Sequence, residues 1–344
     1  MGDSGKRHPR GPEQHGDSPV KFLNRRIVKW ASKLSRNKLA KSTELVDELS
    51  RPNINPVWMR TRNEQITRPY YYLGKNWALT QLSNGLPFFV NTDDHGIATW
   101  IILGGTWENF VDDVLCGYAQ PGMTVLDIGA NLGYYTIKLA DRIGLQGHLH
   151  AFEPNPELAP FVRENINING FRDRCSFYEI AASDVTGANT LVFEYSNMGG
   201  GGFAAPAPGK KSAEVQLRRL DDILDGVALV DLVKIDVEGH EPYVLRGAKR
   251  LIERSAHCAY MLEIALDTWL PHGPIEDQIA PLAEGKILFA VPHSGGPVRI
   301  ERSTVNAYLE QQSGVSYVFI CPEQEASRVM GPPAVAERPP AASS

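Results

Sequence analysis

The chain of 344 residues has only four cysteines, Cys116, Cys175, Cys258 and Cys321, far apart and with no CxxC pair. That spacing excludes a disulfide framework and cysteine-based zinc sites, and the thiols read as reduced core residues of a cytoplasmic protein. No apolar run approaches the roughly 20 residues of a membrane span, and the polar N-terminus is not a secretory signal. A dinucleotide fingerprint is also missing. After Gly129, the positions that G-x-G-x-x-G would fill with glycine hold Asn131 and Tyr134. Backbone amides there are not laid out to cradle a pyrophosphate.

Basic charge is scarce over most of the chain. The net charge is -5, yet residues 1–41 carry eleven Lys or Arg against three acids, so this segment is about +8 and the rest about -13. So acidic a body has no broad surface for nucleic-acid phosphate, and no nucleic-acid partner is expected. Residues 1–19 read as disordered, and Phe22, Leu23, Ile27, Trp30, Ala31 and Leu34 then repeat at helical spacing between basic residues. This basic amphipathic helix suits packing on the domain or a partner, or peripheral contact with an anionic membrane.

The organisation predicted is a basic segment over 1–41, a cap over 42–105, a catalytic domain over 106–321 and a disordered Pro/Ala/Ser-rich tail over 322–344. The cap reads as strands from Trp77 to Leu103, turning at Ser83–Gly85 and near Asp93–Gly96. Strands and helices then alternate. Strands are predicted at Thr124–Ile128, His148–Phe152, Cys175–Ala181, Asp231–Ile235 and Ala259–Ile264. Helices fall at Tyr134–Ile143, Pro156–Asn169 and Glu241–Glu253, and Lys286–Val291 and Tyr317–Cys321 close the sheet as an edge hairpin. The alternation predicts a doubly wound α/β fold, its mostly parallel sheet covered on both faces. The Gly/Pro stretch Asn197–Ser212 reads as a loop, either a surface connection or a mobile lid.

The strongest motif is Asp127-Ile128-Gly129-Ala130-Asn131-Leu132-Gly133-Tyr134-Tyr135, which leaves a strand and opens a helix. Gly129 and Gly133 permit a sharp turn and close approach to a ligand. Glu153, at the end of the next strand, stands where such folds place the carboxylate that bonds a ribose. Asp127 and Glu153 suit a cationic nucleoside without phosphate, such as S-adenosylmethionine.

Taken together, Gly105-Thr106-Trp107-Glu108, the Asp127–Tyr135 run, Ala151-Phe152-Glu153-Pro154-Asn155, Leu220-Asp221-Asp222, Lys234-Ile235-Asp236-Val237-Glu238-Gly239-His240-Glu241 and Leu245-Arg246-Gly247-Ala248 resemble the FkbM-type methyltransferases, over roughly Thr106 to Ile264. The resemblance implies a class I, Rossmann-like methyltransferase fold of seven strands with an N-terminal extension. It also implies S-adenosylmethionine as cofactor and usually O-methylation of a sugar-like or polyketide-like hydroxyl on a small-molecule or glycan acceptor. The expected cofactor-binding residues are Glu108, Asp127, Gly129, Asn131, Gly133, Tyr134, Glu153 and Asn155. The expected catalytic residues are Asp236, Glu238, His240 and Glu263. Asp236 and His240 are the candidate bases for the acceptor proton, while Glu241 equally suits a helix N-terminus. A divalent cation held by Asp236, Glu238 and Glu263 is an open alternative, since hard cations take carboxylates, but no metal-ligand spacing is present and no metal is expected. The competing readings are a silent scaffold on this fold and an NAD or nucleotide-sugar enzyme.

Overall fold

The computed structural model describes residues 59–61, 64–312 and 315–330. The basic N-terminal helix and the end of the tail read from the sequence lie outside these residues. The strands are β1 (Met59–Thr61), β2 (Glu64–Arg68), β3 (Tyr71–Gly74), β4 (Trp77–Gln81), β5 (Pro87–Asn91), β6 (Thr124–Ile128), β7 (His148–Phe152), β8 (Cys175–Tyr178), β9 (Ala181–Ala182), β10 (Gly187–Glu194), β11 (Asn197–Phe203), β12 (Lys211–Arg218), β13 (Leu232–Ile235), β14 (Ala259–Ile264), β15 (Lys286–Val291), β16 (Val298–Ile300) and β17 (Ser316–Pro322). The helices used below are α1 (Ile97–Gly104), α2 (Asn109–Tyr118), α3 (Tyr134–Ile143), α4 (Ala159–Ile168), α5 (Leu220–Ile223), α6 (Glu241–Arg246) and α7 (Lys249–Arg254).

The central sheet runs β16-β15-β17-β14-β13-β6-β7-β8. Five strands, β8-β7-β6-β13-β14, are parallel in the doubly wound order 3-2-1-4-5. β17 enters antiparallel between β14 and β15. Seven strands were expected; β16 is an eighth, paired outside β15, so the β15–β17 pair is not the edge. Side chains alternate between the faces with period two. Val125, Leu232, Ala259, Met261 and Phe319 enter one core, and Leu126, Val233, Tyr260, Leu262 and Val318 enter the other. Parity therefore puts Asp127, Lys234, Glu263 and Tyr317 on the first face. The registers place Lys234 opposite Asp127 and Glu263 opposite Tyr317.

Four sequence readings change. Ile97–Leu103 is helical: α1 ends in a left-handed Gly105, and the Asp94 carboxylate accepts the Gly96 amide at 2.7 Å just before its first turn. The helix expected over Glu241–Glu253 breaks into α6 and α7 near Gly247, where a Cβ would overlap the Ser183 carbonyl. Tail residues Glu323–Met330 are helical. The Asn197–Ser212 loop is largely sheet. β11 and β12 flank β10 in a second sheet of order β11-β10-β12-β9, in which backbone pairing takes over from the side chains that glycine lacks.

The meander β3-β4-β5 shares the first core rather than holding one of its own. Trp77 stacks on Phe161 of α4 at 3.8 Å. Asn165, buried on α4, accepts the Phe89 amide at 2.6 Å and donates to the carbonyls of Phe89 and Leu132 at 3.0 and 2.9 Å. One amide side chain thus joins the meander to the turn after β6. Asn165→Leu strands these backbone groups, and the expected loss is about 2–4 kcal/mol in chemical denaturation. A loss under about 1 kcal/mol would show that the meander does not depend on this bridge.

Candidate active site

The ends of β6 and β13 are where neighbouring connections leave on opposite faces of the sheet, the usual place for a ligand crevice. A cavity of about 660 Å³ lies there, within the range of ligand pockets. Its walls come from the turns after β6, β7 and β13, from Glu263 and Tyr317, and from the glycine strand β11. Among the described residues four non-glycine residues have positive φ, and three of them, Glu108, Asn131 and Glu238, line this cavity. Such conformations cost on the order of 1–3 kcal/mol each, and they cluster where surrounding structure holds side chains for a purpose.

The turn after β6 needs its glycine. Gly129 has φ +86°, and a Cβ there would overlap the backbone carbonyl of Asp236. Glu153 spans the turns after β6 and β7, accepting the Asn131 amide at 2.8 Å and the Asn155 amide at 2.9 Å. Burial pushes the Glu153 carboxyl up to about 7, against the pull of those two amides. Its carboxylate has lone pairs beyond the two that these amides use, so it can accept further donors from the cavity.

On the opposite wall stands a set of carboxyls around one ammonium. Lys234 is 2% exposed. Its Nζ lies 3.2 Å from Asp236 Oδ2, 3.7 Å from Asp127 Oδ1 and 3.1 Å from the Gly129 carbonyl. Burial alone would lower the Lys234 pKa, but Asp236, Asp127 and Glu108 together raise it. Glu108 accepts Tyr317 Oη at 2.8 Å and Tyr135 Oη at 3.2 Å, and burial and then Asp236 push its carboxyl to about 7. Glu238 reaches about 7 by burial, then by Asp236 and Glu241. Glu263 reaches about 11 by burial and then by Asp236, Glu238 and Glu241, so it is a neutral acid near neutral pH.

The predicted residues thus divide. Gly129, Asn131, Tyr134, Glu153 and Asn155 line the cavity, and so do Asp236, Glu238, His240 and Glu263. Glu108 also lines it, but its carboxylate belongs with Tyr135, Tyr317 and Asp236 rather than with Glu153. Asp127 and Gly133 are not in the wall. Asp127 is wholly buried and accepts Thr136 Oγ1 at 2.6 Å, and Gly133 starts α3 in the left-handed region. His240 Nε2 lies 3.0 Å from Ser183 Oγ, and the ring stacks on Tyr243 at 4.4 Å. Burial lowers its pKa to about 4, which makes it a weak base. Glu241 is structural: its Oε1 accepts the amides of Val237 and Gly239 at 2.9 and 3.2 Å and shapes the turn. Among the described residues no group of three or more His, Cys, Asp or Glu is placed to hold a metal ion.

Sequence reasoning missed Lys234, Tyr317 and the glycine strand. Lys234 had a signal, a lysine inside the buried run DLVKI, where parallel strands are near-continuously hydrophobic. The glycines had one only in hindsight. A Cβ at Gly199 would overlap the Asn131 amide, and the Met198 carbonyl accepts Asn155 Nδ2 at 3.1 Å, so a side-chain-free strand is what fits over the turn. Asn131 Oδ1 is buried there with no hydrogen-bond partner among the described residues.

A doubly wound sheet with an acid-lined cavity at its switch point defines a class that includes methyltransferases. Residues 127–269 match the methyltransferase FkbM domain model. Methyltransferase sdnD of Sordaria araneosa is 26% identical over 194 residues, 47% of this chain and 72% of that protein. The 2-O-methyltransferase NoeI of Sinorhizobium fredii is 30% identical over 155 residues, 40% of this chain and 61% of that protein. The 31-O-demethyl-FK506 methyltransferase FkbM of Streptomyces tacrolimicus is 29% identical over 163 residues, 38% of this chain and 61% of that protein. Over residues 127–269 the chain is thus similar to the FkbM-type methyltransferases.

Glu263 fixes the sign of a pH dependence. With its carboxyl raised to about 11, the folded protein keeps a proton that the unfolded chain releases near the ordinary glutamate value. Its contribution to stability is therefore fully present at low pH and declines as pH rises toward the folded value. Between about pH 7 and about pH 8.5, denaturation should show the wild type losing stability relative to Glu263→Gln, which cannot ionise. Equal slopes for the two proteins would place the retained proton elsewhere.

Proposed function

We propose that the protein transfers a methyl group from S-adenosylmethionine to a hydroxyl of a small-molecule, sugar or glycan acceptor. The observation that carries this reading is the division of one cavity between a tethered nucleoside turn and an acidic wall. Glu153, with the turn Gly129–Asn131 and Asn155, would hold the adenosine part, the carboxylate accepting ribose hydroxyls. The carboxyl-rich wall favours a ligand with positive charge, and Asn131 and Tyr134 stand where a pyrophosphate cradle would need glycine. When bound, S-adenosylmethionine supplies an electrophilic methyl group on a cationic sulfur.

The chain's own part is to place the acceptor and take its proton. Asp236 projects from the end of β13, held on one oxygen by Lys234 at 3.2 Å. A carboxylate retains acceptor capacity on its other oxygen, so Asp236 can accept the hydroxyl proton as the oxygen attacks. Glu263, holding its own proton, can donate a hydrogen bond but is a poor base at neutral pH. His240 is the weaker candidate for the base, because its Nε2 is already engaged by Ser183 Oγ at 3.0 Å. Holding the acceptor in line provides much of the remaining acceleration. Support for O-methylation comes from relatives named as a 2-O-methyltransferase and a 31-O-demethyl-FK506 methyltransferase.

The test is transfer of a labelled methyl group to a panel of hydroxyl compounds, followed by single variants. Asp236→Asn keeps the shape and removes the proton acceptor, so turnover should fall by roughly 10²-fold or more, with Glu153→Ala instead weakening cofactor binding by roughly 1–3 kcal/mol. His240→Ala should cost far less in turnover than Asp236→Asn. A larger loss in His240→Ala, with the acid side of the pH–rate profile altered, would move the base to His240.

A further inference from the structure

An ammonium group carries three N–H donors, and Lys234 meets three acceptors from three segments. They are the Gly129 carbonyl in the turn after β6, the Asp236 carboxylate after β13 and the Asp127 carboxylate inside β6, at 3.1, 3.2 and 3.7 Å. The Tyr135 ring of α3 covers the same ammonium, 5.1 Å from Nζ to centroid. Asp127 Oδ1 has no hydrogen-bond partner among the described residues, so the charge of Lys234 is what faces it. The two turns also touch directly. Asp236 N donates to the Ile128 carbonyl at 3.1 Å, and the Asp236 carbonyl sits where a Cβ on Gly129 would be.

We propose that Lys234 is the positioning residue of the active site, its ammonium locking the Gly129 carbonyl and the Asp236 carboxylate to each other so that the cofactor turn and the proton acceptor are held as one unit. The proposal rests on the reading of the cavity as an S-adenosylmethionine site and adds to it the group that sets the spacing between its halves. Asp236 alone has other charged and titratable neighbours that would let it wander. Glu108 and Tyr135 face it from the α2 and α3 side, Glu263 and Tyr317 from β14 and β17, and Glu238 and Glu241 from its own turn. Of these, the ionised carboxylates repel it, while Glu263, which keeps its proton, does not. Among the described residues the one cation paired with it is Lys234, and Lys234 is itself held by the carbonyl of the Gly129 turn. A carboxylate displaced by about 1 Å can cost on the order of 10²-fold in rate, so the lock acts on turnover as well as on binding.

The test separates charge from bulk. Lys234→Ala opens a slot on the cavity wall that n-propylammonium fits, and 1-propanol matches it in shape without the charge. The affinity for S-adenosylhomocysteine, read by calorimetry, should fall roughly tenfold or more in Lys234→Ala. n-Propylammonium should restore most of it and 1-propanol should not. If Lys234→Ala folds poorly because Asp127 is left as an unpaired buried charge, Lys234→Ala/Asp127→Asn serves in its place with the same expected pattern. Unchanged affinity in the variant, or equal rescue by alcohol and ammonium, overturns the proposal and leaves Lys234 as core packing. Wild-type protein that fails to bind S-adenosylhomocysteine overturns the cofactor reading instead, a result visible before any variant is compared.

Discussion

A lysine in the middle of a parallel sheet has to be met by negative charge at the same depth, because an unpaired buried ammonium costs several kcal/mol or gives up its proton. Here the matching charge comes from the strand next door. Lys234 on β13 lies opposite Asp127 on β6, on the face of the sheet that also carries Glu263 and Tyr317. The period-two alternation of these strands gathers the polar side chains on one face near the strand ends, while Leu126, Val233 and Leu262 pack the other with hydrocarbon. Much of the geometry of the cavity follows from this row of charge. The Gly129 turn is drawn in by its carbonyl, Asp236 is held by one oxygen, and the surplus carboxyls keep protons that they would lose in water.

The same surplus explains why the site suits a cation. A wall of four carboxyls with a single lysine is a poor place for phosphate, and it is a good place for a ligand that brings positive charge with it. The strained backbone at Glu108, Asn131 and Glu238 belongs to the same arrangement, since each of these conformations puts a polar side chain at the cavity wall at a cost that the surrounding packing offsets. The glycine strand β11 closes over the turn by doing without side chains, so the cavity is bounded by a second sheet as well as by the central one.

The alternating strands and helices of the parallel sheet were legible because their apolar patterns are strong. Thr124–Ile128, Tyr134–Ile143, His148–Phe152 and Ala259–Ile264 fold at the residues the sequence predicts. Glu153 and the glycine turn were legible from their spacing. The rest depended on contacts distant in sequence. Four glycines in a row have no strand propensity of their own, and only pairing with β10 and the close approach of Asn131 make β11 a strand. Tyr317 enters the site through cross-strand register with Glu263, and Asp127 turned inward to Lys234 rather than outward to ligand, a choice that spacing alone does not decide. His240 looked like a base by residue type, and burial against Ser183 and Tyr243 makes it a weak one.

The most direct measurement of the central claim is a crystal structure of the protein with S-adenosylhomocysteine. The account predicts the nucleoside in the cavity at the ends of β6 and β13, its ribose hydroxyls within hydrogen-bonding distance of Glu153 and its sulfur facing the wall that carries Asp236. A nucleoside seated elsewhere, or one in this cavity with Glu153 out of reach of the ribose, would contradict it.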